Sequence, residues 1–210
     1  SHNGSTLLIP ASNTKLYSST AALEILGEEY RFRTVVGTPG TLNKTGHTVR
    51  GDVYLKGYGD PTMQASDYNK LAKQLADKGI TTIRGQIIAD DTYFDATRLG
   101  YNWGWDSNPY YYQPEISALT VAANDNLDIG ALLVDVSPAD VAGKPATLGT
   151  TPHTNYVTFV NNTTTGVAGA ATTISVERQM GTNTIVVSGT IALDAAKVTR
   201  VSTVGDPGAY

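Results

Sequence analysis

Apolar residues recur every three or four positions in two stretches of the first 80 residues. The first stretch, residues 12–26, is followed by Gly27, and the second, residues 66–78, begins at Ser66 and is followed by Gly79. This spacing places apolar side chains on one face of a helix, and glycine is common just beyond a helix end. The pattern therefore predicts two helices, with Ser66 as the N-cap of the second.

Shorter runs rich in β-branched residues predict strands in the rest of the chain. In the first part these runs are residues 30–36, 49–55 and 83–89. After residue 127 they are residues 132–136, 156–160, 173–176, 184–187 and 198–204. A helix between strands predicts a small α/β unit in the first part, whereas closely spaced short strands predict an all-β sandwich in the second.

Composition narrows the classes of function. The net charge of −4 gives no support to a nucleic-acid-binding surface or to a basic membrane-binding patch, and no apolar run is long enough to span a bilayer. The absence of cysteine excludes disulfides and thiolate metal sites, and suits an exported protein that needs neither. Asp90 and Asp91 lack further acidic residues or histidine at ligand spacing, so we predict a turn there and no metal or cofactor.

Candidate catalytic residues lie at the start of the first predicted helix. Ser12 and Lys15 are three residues apart, a spacing that makes two side chains neighbours on one helix face. Lys15 could accept the proton of the Ser12 hydroxyl, which is the S-x-x-K arrangement of penicillin-recognising acyl enzymes. Taken alone, these four residues favour a serine N-cap followed by a solvated lysine, so the interpretation depends on the surrounding sequence.

The surrounding sequence resembles a known family. Residues 9–16 read Ile-Pro-Ala-Ser-Asn-Thr-Lys-Leu and are similar to the active-site signature of D-alanyl-D-alanine carboxypeptidases of the low-molecular-mass class C penicillin-binding proteins, peptidase family S13. Three later segments resemble the same family in the same order, at residues 51–61, 85–95 and 116–126. The resemblance resumes near residues 204–207, and four ordered segments are far more specific than the S-x-x-K spacing.

This resemblance implies an α+β fold in which a penicillin-binding (transpeptidase-like) domain is split. Residues 1–29 would carry its nucleophile helix, residues 30–126 an inserted α/β domain, residues 127–203 an all-β subdomain nested in the insertion, and residues 204–210 the return towards the catalytic domain. The family's S-x-N motif and catalytic K-T-G strand lie beyond the insertion. We therefore expect an N-terminal fragment, completed by the C-terminal remainder of the catalytic domain. The Lys-Thr-Gly at residues 44–46 comes too early and is predicted to be a hairpin turn.

The resemblance also implies a function. It is that of a serine-type D-Ala-D-Ala carboxypeptidase, or endopeptidase, that forms an acyl-enzyme with peptidoglycan stem peptides through Ser12, with Lys15 as the base. β-Lactam antibiotics would be covalent inhibitors, no cofactor would be needed, the location would be extracytoplasmic, and the fragment alone would be inactive. Two alternatives stay open: an S-x-x-K hydrolase resembling a β-lactamase or esterase, and a non-catalytic peptidoglycan-binding protein.

The densest aromatic segment of the chain lies between Asp95 and Pro114. It contains Trp103-Gly104-Trp105-Asp106, which is similar to a Trp-x-x-Asp of family members that cut diaminopimelate-type peptidoglycan. The resemblance implies that Trp103 lines a pocket for the aliphatic stem of the substrate side chain and that Asp106 binds its terminal ammonium. The alternative is a loop held in place by buried tryptophans.

Overall fold

The computed structural model describes residues 4–43, residue 45 and residues 47–210. The chain forms two compact units, Ser1–Phe32 and Arg33–Tyr210. Most of the predicted turn at residues 44–46 lies outside the described residues.

The first unit is built around one helix. A 3₁₀ turn, Ala11–Asn13, leads directly into helix α1, Thr14–Leu26. Gly27 ends α1 with φ of 79°, and its N–H donates to the carbonyl of Leu23 at 2.9 Å. The predicted helix is therefore confirmed, except that its first residues form a tighter turn. Neither described helix, each 13 residues long, combines the length and apolarity that a bilayer crossing requires.

The first part of the second unit is mixed α and β. Its elements are β1 Thr34–Gly37, β2 Thr41–Asn43, β3 Thr48–Arg50, β4 Val53–Gly57, α2 Ala65–Asp77, β5 Thr82–Arg84 and β6 Ile87–Asp90. They form two three-stranded sheets of order β1-β4-β6 and β2-β3-β5. Helix α2 connects strands that pair in parallel, β3 with β5 and β4 with β6. The expected α/β unit is present within an α+β fold.

Two predicted strands are each divided by a glycine. Residues 49–55 form the end of β3 and the start of β4, and residues 83–89 contribute to both β5 and β6. Gly51 has φ of 121°, which a side chain rarely adopts, and a Cβ on Gly85 would clash with the Gly51 carbonyl. Because the two glycines approach so closely, both predicted strands pass at this point from the sheet that contains β3 and β5 to the sheet that contains β4 and β6. The predicted strand at residues 30–36 is also wrong in extent, since β1 begins only at Thr34.

The N-cap of α2 corrects another prediction. The cap is Gln64 and not Ser66, because Gln64 and Asp67 form a reciprocal capping box. The Gln64 N–H donates to the Asp67 carboxylate at 3.0 Å. Donation from Lys70, together with that backbone N–H, lowers the pKa of Asp67. A carboxylate three residues after the cap therefore decides where the helix begins.

The second part of this unit contains only strands. They are β7 Ala131–Ser137, β8 Thr147–Thr151, β9 Thr158–Gly166, β10 Ser175–Arg178, β11 Thr184–Ala192 and β12 Val198–Thr203. Their sheets have the orders β12-β7-β8 and β10-β11-β9. The central strands β7 and β11 supply most of a shared apolar core, with fully buried Leu132, Val134, Val136, Ile185, Val187 and Ile191. All five strand runs predicted after residue 127 are confirmed as strands with shifted ends, and β8 was missed.

Candidate functional site

Ser12 and Lys15 lie side by side at the start of α1. Ser12 is in the 3₁₀ turn and Lys15 is in the first turn of the α-helix, so the chain winds both side chains to one face. Lys15 Nζ donates to Ser12 Oγ at 3.4 Å. Both side chains are exposed. A longer-than-average hydrogen bond between a nucleophile and its base is common in unliganded sites and tightens when substrate binds.

The backbone before Ser12 has an uncommon conformation. Ala11 has φ of 46°, in the left-handed region, and the N–H of Asn13 donates to the Pro10 carbonyl at 3.0 Å. A left-handed non-glycine residue costs about 1–2 kcal/mol, and such residues concentrate at functional sites. The turn places Ser12 at the N-terminal end of α1, where the helix dipole favours developing negative charge.

The predicted aromatic segment is an exposed loop of the second unit. Trp103 is 43% exposed and Trp105 is 74% exposed. The alternative that buried tryptophans hold this loop in place is therefore wrong. Trp103 borders a cavity of about 210 Å³, which Asp60, Phe94 and Glu115 also line.

Asp106 lies outside that cavity. It belongs to a 3₁₀ turn, Trp105–Ser107, and its exposed carboxylate has no hydrogen-bond or ion-pair partner among residues 4–43, 45 and 47–210. The structure therefore brings Ser12 and Lys15 together, but it does not place Asp106 in the 210 Å³ cavity that Trp103 lines. Sequence reasoning missed Asp60 as a lining residue, although it lies in the Gly-Asp-Pro segment of the resemblance.

Asp90 and Asp91 form the strand-ending turn that was predicted. Asp90 Oδ1 accepts from the N–H and the hydroxyl of Thr92 at 3.0 and 2.6 Å, and Asp90 Oδ2 pairs with Lys56 Nζ at 2.9 Å. Asp91 pairs instead with Arg98 and accepts from Ser117 Oγ. In the part of the chain that the structure describes, no cluster of three or more His, Cys, Asp or Glu residues could hold a metal ion.

Asp90→Asn should remove a pH-dependent contribution to stability. Hydrogen bonding by Thr92 and then Lys56 lowers the pKa of Asp90 from 3.8 to about 2. A carboxyl with a lowered folded-state pKa stabilises fully above its unfolded pKa and loses that contribution as pH falls from about 4 towards about 2. We expect the urea midpoint of the wild type to fall more steeply over this interval than that of the variant.

The control is Asp140→Asn, which removes an exposed partner of Lys144 and should show the same dependence of the urea midpoint on pH as the wild type. Parallel curves for wild type and Asp90→Asn would contradict this assignment.

The sequence matches the family described as D-Ala-D-Ala carboxypeptidase 3 (S13) over residues 1–210. The chain belongs to this S13 family. The S13 resemblance inferred from the sequence is thus confirmed.

Two curated S13 relatives show how much of a family member the chain represents. It is 42% identical over 209 residues to a D-alanyl-D-alanine carboxypeptidase of Actinomadura sp. (strain R39), covering 100% of the chain and 38% of the relative. It is 27% identical over 105 residues to the D-alanyl-D-alanine carboxypeptidase DacB of Haemophilus influenzae, covering 50% of the chain and 22% of that protein. The chain therefore spans well under half the length of these relatives.

Solved structures support the S13 fold. The crystal structure of penicillin binding protein 4 (dacB) from Haemophilus influenzae matches 98% of the chain with a TM-score of 0.76 at 20% identity, and 44% of that protein is covered. The same protein complexed with a novel β-lactam matches 96% of the chain with a TM-score of 0.61 at 17% identity, with 40% covered. At these identities the likeness establishes the fold alone.

Proposed function

We propose that the protein is a serine-type D-Ala-D-Ala carboxypeptidase, with endopeptidase action on related cross-links, and that Ser12 is its nucleophile. The observation that carries this proposal is the 3.4 Å contact between Lys15 Nζ and Ser12 Oγ, in a chain that matches S13 along its whole length. Its two relatives are D-alanyl-D-alanine carboxypeptidases, which suggests the substrate class, the D-Ala-D-Ala end of a peptidoglycan stem peptide.

The reaction follows from the positions of these two side chains. Ser12 Oγ attacks the carbonyl carbon of the penultimate D-Ala while Lys15 accepts the hydroxyl proton. The backbone N–H of Ser12, near the N-terminus of α1, stabilises the oxyanion of the tetrahedral intermediate. The C–N bond then breaks, and the terminal D-Ala leaves as an amine that takes up a proton. Water hydrolyses the acyl-enzyme and regenerates the Ser12 hydroxyl.

A β-lactam would acylate the same serine. Attack on its strained amide opens the ring, but the amine stays attached, so the leaving group does not depart. This inhibitor class is suggested by the β-lactam complex of the Haemophilus influenzae penicillin binding protein 4. An extracytoplasmic location, where peptidoglycan lies, belongs to the same proposal.

The catalytic domain would be completed by a C-terminal remainder. The chain covers 38% of the Actinomadura relative, and the apolar side chains Leu16 and Leu23 of α1 are 68% and 62% exposed. Exposed apolar side chains of this kind on a helix are normally covered by another part of the protein. We therefore expect this chain alone to be inactive, with the remaining oxyanion donor and carboxylate-binding groups supplied by that remainder.

Trp103 and Asp106 would recognise the substrate side chain. The exposed indole of Trp103 offers an aromatic surface for an aliphatic stem, and the carboxylate of Asp106, which has no partner among the described residues, can pair with a terminal ammonium. The two residues lie on one loop, but Asp106 does not line the 210 Å³ cavity beside Trp103, so this role requires the loop itself to be held in a defined position.

The test is incubation with a fluorescent penicillin, followed by intact-mass measurement and peptide mapping. It is run on the full-length protein and on the 210-residue chain. We expect a stable adduct on Ser12 at full length only, together with release of D-alanine from a stem peptide. Rapid turnover of the penicillin would favour a β-lactamase-like hydrolase. No adduct on either protein, combined with retention on isolated peptidoglycan, would favour a non-catalytic binding protein.

A further inference from the structure

Arg178, at the end of β10, is the largest fully buried side chain in the described part of the chain, with 2% of its surface exposed. Its guanidinium donates to three separate segments. Nε donates to Thr203 Oγ1 at 3.2 Å, at the end of β12, and one terminal nitrogen donates to the carbonyl of Thr182 at 2.9 Å. The other terminal nitrogen donates to Asn108 Oδ1 at 2.7 Å and to the Asn108 carbonyl at 3.4 Å.

This buried charge has no paired carboxylate. In residues 4–43, 45 and 47–210, Arg178 forms no ion pair, and burial lowers its pKa although the charge of Glu115 opposes that shift. A buried guanidinium without a carboxylate costs free energy unless its N–H groups find acceptors. An apolar side chain in this core would carry no such cost, so the polar contacts indicate a role other than packing.

Asn108 is the residue that these contacts hold. It directly follows the 3₁₀ turn Trp105–Ser107 and is only 2% exposed, whereas the turn is open to solvent. Thr203 Oγ1 also donates to the Asn108 carbonyl, at 2.9 Å. The Asn108 side-chain oxygen accepts from Arg178, whereas the side-chain amide nitrogen has no hydrogen-bond partner in the described residues. The exposed loop is therefore anchored to the all-β part at the buried Asn108, next to a longer hydrogen bond from the Thr203 N–H to the Pro109 carbonyl at 3.5 Å.

We propose that Arg178 is a positioning residue for substrate recognition. By donating hydrogen bonds to Asn108, it fixes the position of the loop that carries Trp103 and Asp106. This inference rests on the proposed function, since those two residues contact the substrate only if it is correct. Arg178 itself does not touch substrate. We expect its effect to fall on binding of the substrate side chain, because Asn108 follows directly on the loop residues Trp103 to Ser107, whereas Arg178 makes no hydrogen bond to Ser12 or Lys15 among the described residues.

The kinetic test uses the full-length protein with the variants Arg178→Met, Arg178→Lys and Asn108→Ala. Two stem peptides are compared, one with an amine-bearing side chain at its third residue and one with alanine there. A small displacement of recognition groups costs up to about 100-fold, and we expect Arg178→Met to lower kcat/KM for the amine-bearing peptide at least about tenfold, mainly through KM. The alanine peptide should change less than about twofold, and Arg178→Lys should recover part of the loss.

The matched control is Arg200→Met. Arg200 is an exposed arginine of β12 whose hydrogen bonding within the described residues is limited to the neighbouring Thr199 carbonyl, and Arg200→Met should leave kcat/KM for both peptides unchanged. Titration with penicillin measures the concentration of intact active sites in each variant. Partial unfolding lowers this concentration, whereas a change in specificity leaves it unchanged, so the two effects can be distinguished. Equal losses for both peptides at full active-site count would overturn the proposal.

A second measurement does not depend on catalysis. Amide hydrogen exchange should be faster across residues 103–112 in Arg178→Met and Asn108→Ala than in wild type or Arg200→Met. Unchanged exchange in this loop would overturn the anchoring role. Faster exchange in a protein whose wild type neither binds penicillin nor releases D-alanine would mean that the proposed function fails while the anchor stands.

Discussion

Ser12→Ala in the full-length protein should abolish both covalent labelling by a β-lactam and release of D-alanine from a stem peptide. Alanine has no hydroxyl to form the acyl-enzyme, so the rate should fall by roughly 10⁴-fold or more, as when the nucleophile of a known serine hydrolase is removed. Intact mass reports the adduct, and peptide mapping identifies the acylated residue.

A matched control for this variant lies on the same helix. Ser18 is an exposed serine of α1 whose hydroxyl is 3.5 Å from the Thr14 carbonyl, and Ser18→Ala should label and hydrolyse as the wild type does. Persistent labelling of Ser12→Ala would show that another residue is the nucleophile. Loss of labelling in both variants would indicate damage to the helix and not to the chemistry.

Lys15→Met should slow acylation by roughly 10²- to 10⁴-fold, the range usually supplied by a positioned general base. The Ser12 hydroxyl would remain in place without the amine that lies 3.4 Å from it. Stopped-flow measurement of penicillin acylation gives this rate directly, and it separates acylation from hydrolysis of the acyl-enzyme.

Lys15→Arg distinguishes proton transfer from simple charge. An arginine places a permanent positive charge near Ser12, but it stays protonated and so cannot accept the hydroxyl proton. We expect Lys15→Arg to be as slow as Lys15→Met. Near-normal acylation by Lys15→Arg would assign Lys15 an electrostatic role instead. Lys73→Met, which removes an exposed partner of Asp77 on α2, should leave acylation unchanged.

Local sequence patterns predicted those parts of the fold that local interactions decide. Helix α1 and its end at Gly27 follow from apolar spacing and from one left-handed glycine. The divisions at Gly51 and Gly85 were missed because each depends on the other, through an approach between residues far apart in sequence. Strand β8 was missed because it lies at the edge of its sheet and has few apolar residues to reveal it.

The candidate site also contains residues that local sequence could predict and residues that it could not. The pair Ser12 and Lys15 could be predicted because helix geometry alone brings residues three apart together. The role of Arg178 could not, since its partners Asn108 and Thr203 are 70 and 25 residues away along the chain. An arginine in a short strand carries no local sign of burial, and only the packing of the two sheets shows that its guanidinium is enclosed.

The pairing of β7 with β12 has a consequence for synthesis of the protein. Ala131 is the register partner of Thr203, so β7 leaves the ribosome roughly 70 residues before its neighbour, an interval of several seconds at about 5–20 residues per second. During that time Leu132, Val134 and Val136, which end fully buried, have no partner strand on one side. An apolar strand with an open edge is prone to aggregate and is a natural ligand for chaperones. An unfolded chain should therefore need chaperones at β7 until β12 pairs with it.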